Sequence, residues 1–384
     1  MSAKTFYLVK RRDRLTNGKA TYYCRFRDDS GALLPWRSTG ETAKARAENW
    51  ALAQFRDSTI TTRTNITFGT YADPWWIWDR CDYIRGKLAR GKRISRSYAD
   101  NQRGNLERYI LPVFKDSLLA KITPQMVETW VMALADRHHL AAVSVNHILA
   151  TAKVMFGEAF RLGIIPGDPA AKVAPLQEKS KEREVLTLAE IRKLFREDRI
   201  PSIWNGDERL YTASLLGVSC GLRMAEIQAL QIRSIGDGFL MIDHAWERSY
   251  GLKEPKYGSR RQVPLPARTE RHVKRISLAS PYQEPDDLLF YGADRDTPID
   301  HKHIGEALTR ALSVVGIAEA ERRQRGLTFH GLRHTFNSIM RGRVPDHVLR
   351  SMTGHRTQQM VEHYSHVGTD DLAGVLKAQR EVFG

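Results

Sequence analysis

The segment "SVNHILATAKVMFGEAFRLGII", residues 144–165, sets the tightest limit on what this chain can fold into. Val145, Ile148, Leu149, Ala152, Phe156, Ala159 and Phe160 recur at the spacing of one helical face. That spacing predicts a long helix with a buried stripe, closed by "PGDP" at 166–169, where proline cannot continue a helix. A single amphipathic helix is not stable alone, so neighbours must cover the stripe. "TPQMVETWVMAL" supplies one, with Thr123 at the cap and Pro124 at the first helical position. Residues 66–175 therefore read as one helical domain.

The stretch after this domain is different in kind. "LQEKSKEREVL", residues 176–186, is charged and free of aromatics, the composition of an exposed linker. "TLAE" then forms a capping box, Thr187 with Glu190, that opens another helix. The region 187–384 is a further domain, and the 384 residues suffice for each part to bury a core.

Residues 1–65 differ again. "FYLVK", "ATYYCRFR" and "ALLPWRSTG" predict three short strands, with "RDDSG" as a turn and a helix from about Thr42 to Phe55. Strand alternation puts Tyr22, Cys24 and Phe26 on one face and Tyr23, Arg25 and Arg27 on the other. This sixth of the chain holds 13 Lys and Arg against six Asp and Glu, nearly half of a net charge of +16. A surplus of that size points to a polyanion partner, and a basic β-ribbon can enter a DNA major groove. A second basic stretch, "RGKLARGKRISRSYADNQRGNLERYI", places Lys92, Arg93, Arg96 and Arg103 among Tyr98 and Tyr109, a mix suited to phosphate contacts. The three cysteines, Cys24, Cys81 and Cys220, are far apart and odd in number, which argues against a disulfide scaffold or a zinc ribbon and fits a reducing compartment. The first residues show no apolar signal core, and no apolar run approaches a membrane span.

The strong chemical signals all lie after residue 187. "LYTASLLGVSCGLRMAEIQAL" predicts an apolar helix carrying Arg223, with Glu226 one turn on; a charged pair there needs a reason, because unpaired burial is costly. "EPKYGSRRQVPLP" reads as the arms of a hairpin with Lys256 near its tip, and Lys253 as a rival for that place. "HGLRHTF" sets His330 and Arg333 three residues apart, within reach of one ligand if helical. "MTGHRTQQMVEHYSHV" adds His355 and, nine residues later, Tyr364.

Singly these are weak signals. Together and in this order, Arg223, Lys256, His330 with Arg333, Gly354-His355 and Tyr364 resemble the signature of the tyrosine recombinase (phage integrase) family. "VNHILATAKVMFGEA…PGDPA" resembles that family's core-binding domain, with Asp168 where Asn is commoner. The resemblance covers roughly residues 66–370, and the basic sheet before it resembles the arm-binding domain of bacteriophage integrases. It implies a mainly α, multi-domain α+β chain: an arm-type DNA-binding domain (1–65), a helical SAM-like core-binding domain (66–175), a linker (176–186), and a mainly helical catalytic domain with a small sheet and a C-terminal tail (187–384). The two larger domains would clamp DNA.

The resemblance also implies the chemistry. Two arginines, Arg223 and Arg333, fork onto the nonbridging oxygens of a DNA phosphate. Tyr364 attacks the phosphorus and leaves a 3′-phosphotyrosine bond. His330 takes the tyrosine proton or bonds the phosphate, His355 donates to the phosphate, Lys256 protonates the departing 5′ oxygen, and Glu226 steadies a neighbouring His or Arg. The covalent link conserves the phosphodiester energy, so neither ATP nor a metal is required. Expected partners are double-stranded attachment-site DNA and three further copies of the chain in a tetramer, with room for a host DNA-bending protein and a directionality factor, in a bacterial cytoplasm. "TDDLAGVLKAQREVF" would form an amphipathic helix through Leu372, Val375, Leu376 and Phe383 that docks on a neighbouring protomer.

Rivals fare less well on the same residues. His330 with His334, and His363 with His366, have metal-ligand spacing, but "HGLRH" lacks the Glu of HExxH. A silent DNA-binding protein has no use for Tyr364. A type IB topoisomerase shares the chemistry but fits the basic core-binding region less well, and a resolvase of the Xer kind has no counterpart to residues 1–65.

Overall fold

The computed structural model describes residues 6–16, 18–27, 33–56, 66–178, 184–255, 258, 260–354 and 369–383. The chain divides into two compact units, Met1–Ser180 and Lys181–Gly384.

The first unit begins with β1 (Phe6–Thr16), β2 (Lys19–Phe26) and the two-residue β3 (Arg37–Ser38), antiparallel in the order β1-β2-β3, followed by α1 (Lys44–Arg56). Cys24 and Phe26 are buried against Ala51 of α1, with Phe6, Leu8, Leu34 and Trp50 around them. The other face interleaves cations and rings across the strands: Arg25 lies over Trp36 at 5.8 Å and Arg27 over Tyr7 at 5.6 Å. Such contacts hold guanidinium groups at an exposed surface without removing their charge.

The helices of this unit are α2 (Phe68–Ala72), α3 (Asp82–Ala89), α4 (Arg96–Asn105), α5 (Leu111–Phe114), α6 (Pro124–His138) and α7 (Ala142–Arg161), with one π turn, Leu106–Ile110, between α4 and α5. Thr123 caps α6 as expected, accepting from Met126 N–H. On α7 six of the seven predicted stripe residues are buried, but Phe160 is 51% exposed. Each residue turns the helix by about 100°, so the neighbour of buried Ala159 leaves the inward arc. Thr151 takes part in the inward face, accepting from Asn105 and donating to Gln102 at 2.7 Å.

The second unit contains α8 (Leu188–Leu194), α9 (Ile200–Ile203), α10 (Glu208–Ser219), α11 (Met224–Gln228), β4 (Phe239–Ile242), β5 (Ala245–Glu247), β6 (Gly251–Lys253), β7 (Arg261–Pro264), α12 (Ala267–Leu278), α13 (His301–Val314), α14 (Glu319–Arg325), α15 (Phe329–Met340), α16 (Asp346–Thr353) and α17 (Thr369–Phe383). The capping box of Thr187 and Glu190 is present at the start of α8. Residues from α10 are buried continuously from Leu210 to Ser219, which places that helix at the centre of the core.

Three expectations are corrected by this fold. The linker is shorter than its composition suggests: Leu176 and Glu178 are bonded by Asn146, while Glu184 N–H reaches Arg325 O at 3.0 Å and Leu186 is buried. The hairpin read from "EPKYGSRRQVPLP" is not one. β6 pairs with β5 and β7 with β4, so residues 254–260 connect two separate sheets. The tail helix α17 does form, but its inner face is covered by its own unit. Val375, Ala378 and Phe383 join the core, Gln379 Nε2 donates to Ser219 O at 2.8 Å, and the Phe383 ring stacks on Phe336. The Leu372 side chain lies outside the described residues.

Candidate active site

The site is assembled at the end of α10. Cys220 caps that helix and Gly221 comes next at φ +66°, a left-handed conformation that carries the chain out of the helix. A Cβ at Gly221 would stand 2.5 Å from Phe336 Cδ1 of α15, so this turn exists only because a residue without a side chain occupies it. Gly221→Ala is accordingly expected to destabilise the second unit by about 3 kcal/mol, from left-handed strain and overpacking together. Denaturant unfolding measures this, and a change below about 0.5 kcal/mol would refute the role given to the turn.

The turn releases Arg223 from the helix that its sequence context predicted. It is the residue before α11, and its backbone N–H donates to Glu226 Oε2 at 3.0 Å while its Nη1 donates to Glu226 Oε1 at 2.7 Å. Glu226, 2% exposed, thus both caps α11 and holds the arginine. A third partner was missed in the sequence: Arg261, the first residue of β7, reaches the same carboxylate with Nη2 at 2.8 Å and Nη1 at 3.2 Å. The signal was there, since strand alternation puts Arg261 on the face of Val263 and Leu265, and an arginine on a buried face needs a carboxylate. Burial pushes the Glu226 carboxyl up, but Arg261 and then Arg223 outweigh it and hold the group below the usual carboxylate range.

Arg333 arrives from α15, which Thr328 caps. It is 1% exposed and donates through Nη1 to Gly221 O at 2.7 Å and through Nη2 to Thr353 O. Burial, and after it the neighbouring Arg223, lowers its pKa to about 9. His330, on the same helix, is exposed, and its ring meets that of His334 edge-on at 4.8 Å. Both residues lie on α15 as expected, but His330 is exposed while Arg333 is drawn into the core by two carbonyls.

Those carbonyls belong to a pattern. α16 ends at Gly354, φ +61°, leaving its last carbonyls without helical partners. Met352 O accepts from Arg261 Nε, Thr353 O from Arg333, and Gly354 O from Arg223 Nη2 at 3.0 Å. Three guanidinium groups thus meet the negative end of one helix, on three consecutive carbonyls, directly before His355. His355, Tyr364 and Lys256 themselves lie outside the described residues. Lys253 is on β6 and pairs with Glu247 at 2.7 Å.

The DNA-contact candidates divide. Lys92 and Arg93 are exposed in the loop after α3, and Arg96, at the start of α4, lies over Trp78 at 5.4 Å. Arg25 donates to Leu34 O, and Arg27 to Tyr7 Oη, while both remain partly exposed. Arg103 is engaged within its own unit, by Glu107 at 2.6 Å and by the carbonyls of Ala72, Asp73 and Trp75. Among the described residues no helix is long and apolar enough to cross a membrane.

A model of the phage integrase family matches residues 184–370, and a model of the phage integrase N-terminal SAM-like domain matches residues 89–135. No curated protein matches the sequence. Among solved structures the chain is similar to a lambda integrase tetramer bound to a Holliday junction, at 16% identity and a TM-score of 0.58, over 95% of this chain and 98% of that one. It is similar to a fragment of the Tn1549 transposon integrase in complex with a circular intermediate DNA, at 17% identity and a TM-score of 0.58, over 77% and 97%. A lambda integrase fragment, a dimer bound to a core site, is similar at 19% identity and a TM-score of 0.55, over 78% and 96%. These structural likenesses are of fold; the two family models, which together match well over half of the sequence, reach both units, and the chain belongs to the phage integrase family.

Proposed function

We propose that this protein is a site-specific DNA recombinase that cuts and rejoins DNA strands through a 3′-phosphotyrosine bond at Tyr364, and that it integrates and excises a phage or other mobile element. The observation that carries the reading is the charge at the end of α16. Three guanidinium groups face one carboxylate there, an excess of two positive charges at the residues that immediately precede His355 in the sequence. A phosphodiester carries one negative charge and its pentacoordinate transition state carries two, so the excess favours the transition state over the substrate.

In this mechanism Arg223 and Arg333 exchange a carbonyl for a nonbridging phosphate oxygen, a stronger acceptor because it is charged. Arg223, whose side chain is 21% exposed, is the more accessible of the two. Tyr364 attacks phosphorus as its proton passes to His330 or to water, His355 donates to the phosphate, and Lys256 protonates the 5′ oxygen as the P–O bond breaks. A 5′ hydroxyl from another strand reverses these steps and releases the tyrosine. Strand exchange between two duplexes calls for four copies, so the assembly is a tetramer on DNA. The basic, ring-lined sheet of β1 to β3 serves a second DNA site, and a host DNA-bending protein and a directionality factor complete the proposal.

The test uses nicked duplexes made from DNA flanking the gene, incubated with the wild-type chain in EDTA and run on a denaturing gel. The expected result is a covalent adduct whose digestion maps the linkage to the peptide holding Tyr364. Cutting that requires a divalent metal, or an adduct mapped to another peptide, overturns the mechanism.

A further inference from the structure

We infer that Arg261 is a positioning residue for DNA cleavage, setting Arg223 and the segment that carries His355 without itself touching the phosphate; the inference rests on the recombinase reading above. Its side chain is 6% exposed, and its donors are directed inward. Nη1 and Nη2 fork onto Glu226, and Nε donates to Met352 O. Glu226 in turn bonds both the backbone and the side chain of Arg223. Arg261 therefore ties three elements that no local pattern connects: the turn before α11, the end of α16 and the start of β7.

Its place in the sequence adds a fourth. Arg261 opens β7 opposite Ile242 of β4, and Lys256 is five residues upstream in the connection from β6. The register of β7 fixes one end of that connection, so a shift at Arg261 is transmitted to the segment that carries the lysine. A planar guanidinium meets the carboxylate bidentately on one edge and the carbonyl through Nε–H; a lysine ammonium cannot reproduce that fork. Displacement by an ångström of a group that orients a reacting phosphate is enough to slow the reaction strongly.

The experiment measures single-turnover cleavage of the nicked duplex by full-length chains, together with DNA affinity. Arg261→Lys is expected to slow cleavage by about 10- to 100-fold, the range for residues that orient a catalytic group, with affinity within about threefold. The same change made on an Arg223→Lys background is expected to slow cleavage by less than about threefold further, because the two act through one group. Equal losses in both backgrounds, or a lowered melting temperature with an unchanged rate, overturn the inference. Where Arg261→Lys does not fold, Arg261→Gln combined with Glu226→Gln keeps the charge balance of the buried pair. Cleavage by that double variant at the wild-type rate, or about tenfold or more slower than by Glu226→Gln alone, overturns the inference; a rate within about threefold of Glu226→Gln alone supports it. Absence of an adduct with the wild-type chain overturns the recombinase reading and this one with it, so the two failures are distinct.

Discussion

Tyr364→Phe is expected to leave no detectable covalent adduct, a loss on the order of 10⁴-fold or more, as for removal of other enzymatic nucleophiles. The substitution deletes one oxygen and keeps the ring. Affinity for DNA is set mainly by contacts of Lys and Arg with phosphates, so it is expected to stay within about threefold. Joint measurement by denaturing gel and by gel shift separates the outcomes. Loss of both adduct and binding would assign Tyr364 a structural place. An adduct that survives would move the nucleophile, and Tyr250, 43% exposed between β5 and β6, is the described tyrosine to test next. The electrostatics bear on which tyrosine can serve. Burial pushes the Tyr211 phenol up to about 12, and Tyr71 is raised as well, the wrong direction for a nucleophile.

Glu226→Gln is expected to destabilise the second unit by about 4 kcal/mol, the usual result of removing one partner of a buried ion pair. Arg223 and Arg261 would then lose the carboxylate they share. For a unit of this size the loss corresponds to a fall in melting temperature of roughly 10 °C. The effect depends on pH with a definite sign. The carboxyl is held below its ordinary value of 4.5, so its contribution is complete above that value and is lost as the pH falls through the lower, folded-state value. The difference between wild type and variant should be constant near neutral pH and shrink only in strong acid. A gap that already narrows between pH 7 and pH 5 would mean that the pair with Arg261 is not what stabilises the unit. Cleavage is expected to fall as well, because Arg223 loses the group that orients it.

Much of this was legible in the sequence, and the legible parts share a physical character. The buried stripe of α7, the cap at Thr123 and the capping box at Thr187 are set within one or two helical turns, where side-chain spacing alone decides. The same is true of the alternation in β2 that buries Cys24 and Phe26. The errors arose where a partner far along the chain decides. "SCGLR" has helical neighbours on both sides, yet Gly221 turns left-handed because Phe336, 115 positions later, fills the space a side chain would need. β6 and β7 are neighbours in sequence but pair with β5 and β4. The apolar face of α17 asks for a partner without saying which, and its own core at Ser219 and Phe336 supplies one.

The sequence by itself determined the residue types and their order: two arginines, two histidines, a lysine and a tyrosine at spacings that few chemistries require together. It determined the helical domains, because periodicity and capping are local and add up residue by residue. Only the tertiary structure decided that Arg223, Arg261 and Arg333 end on three successive carbonyls of one helix terminus. Convergence of that kind depends on α10 packing closely on α15, where Gly217 meets Leu332 and Gly221 meets Phe336. Close packing is a property of surfaces brought together from distant parts of the chain, and it leaves no periodic trace in either segment.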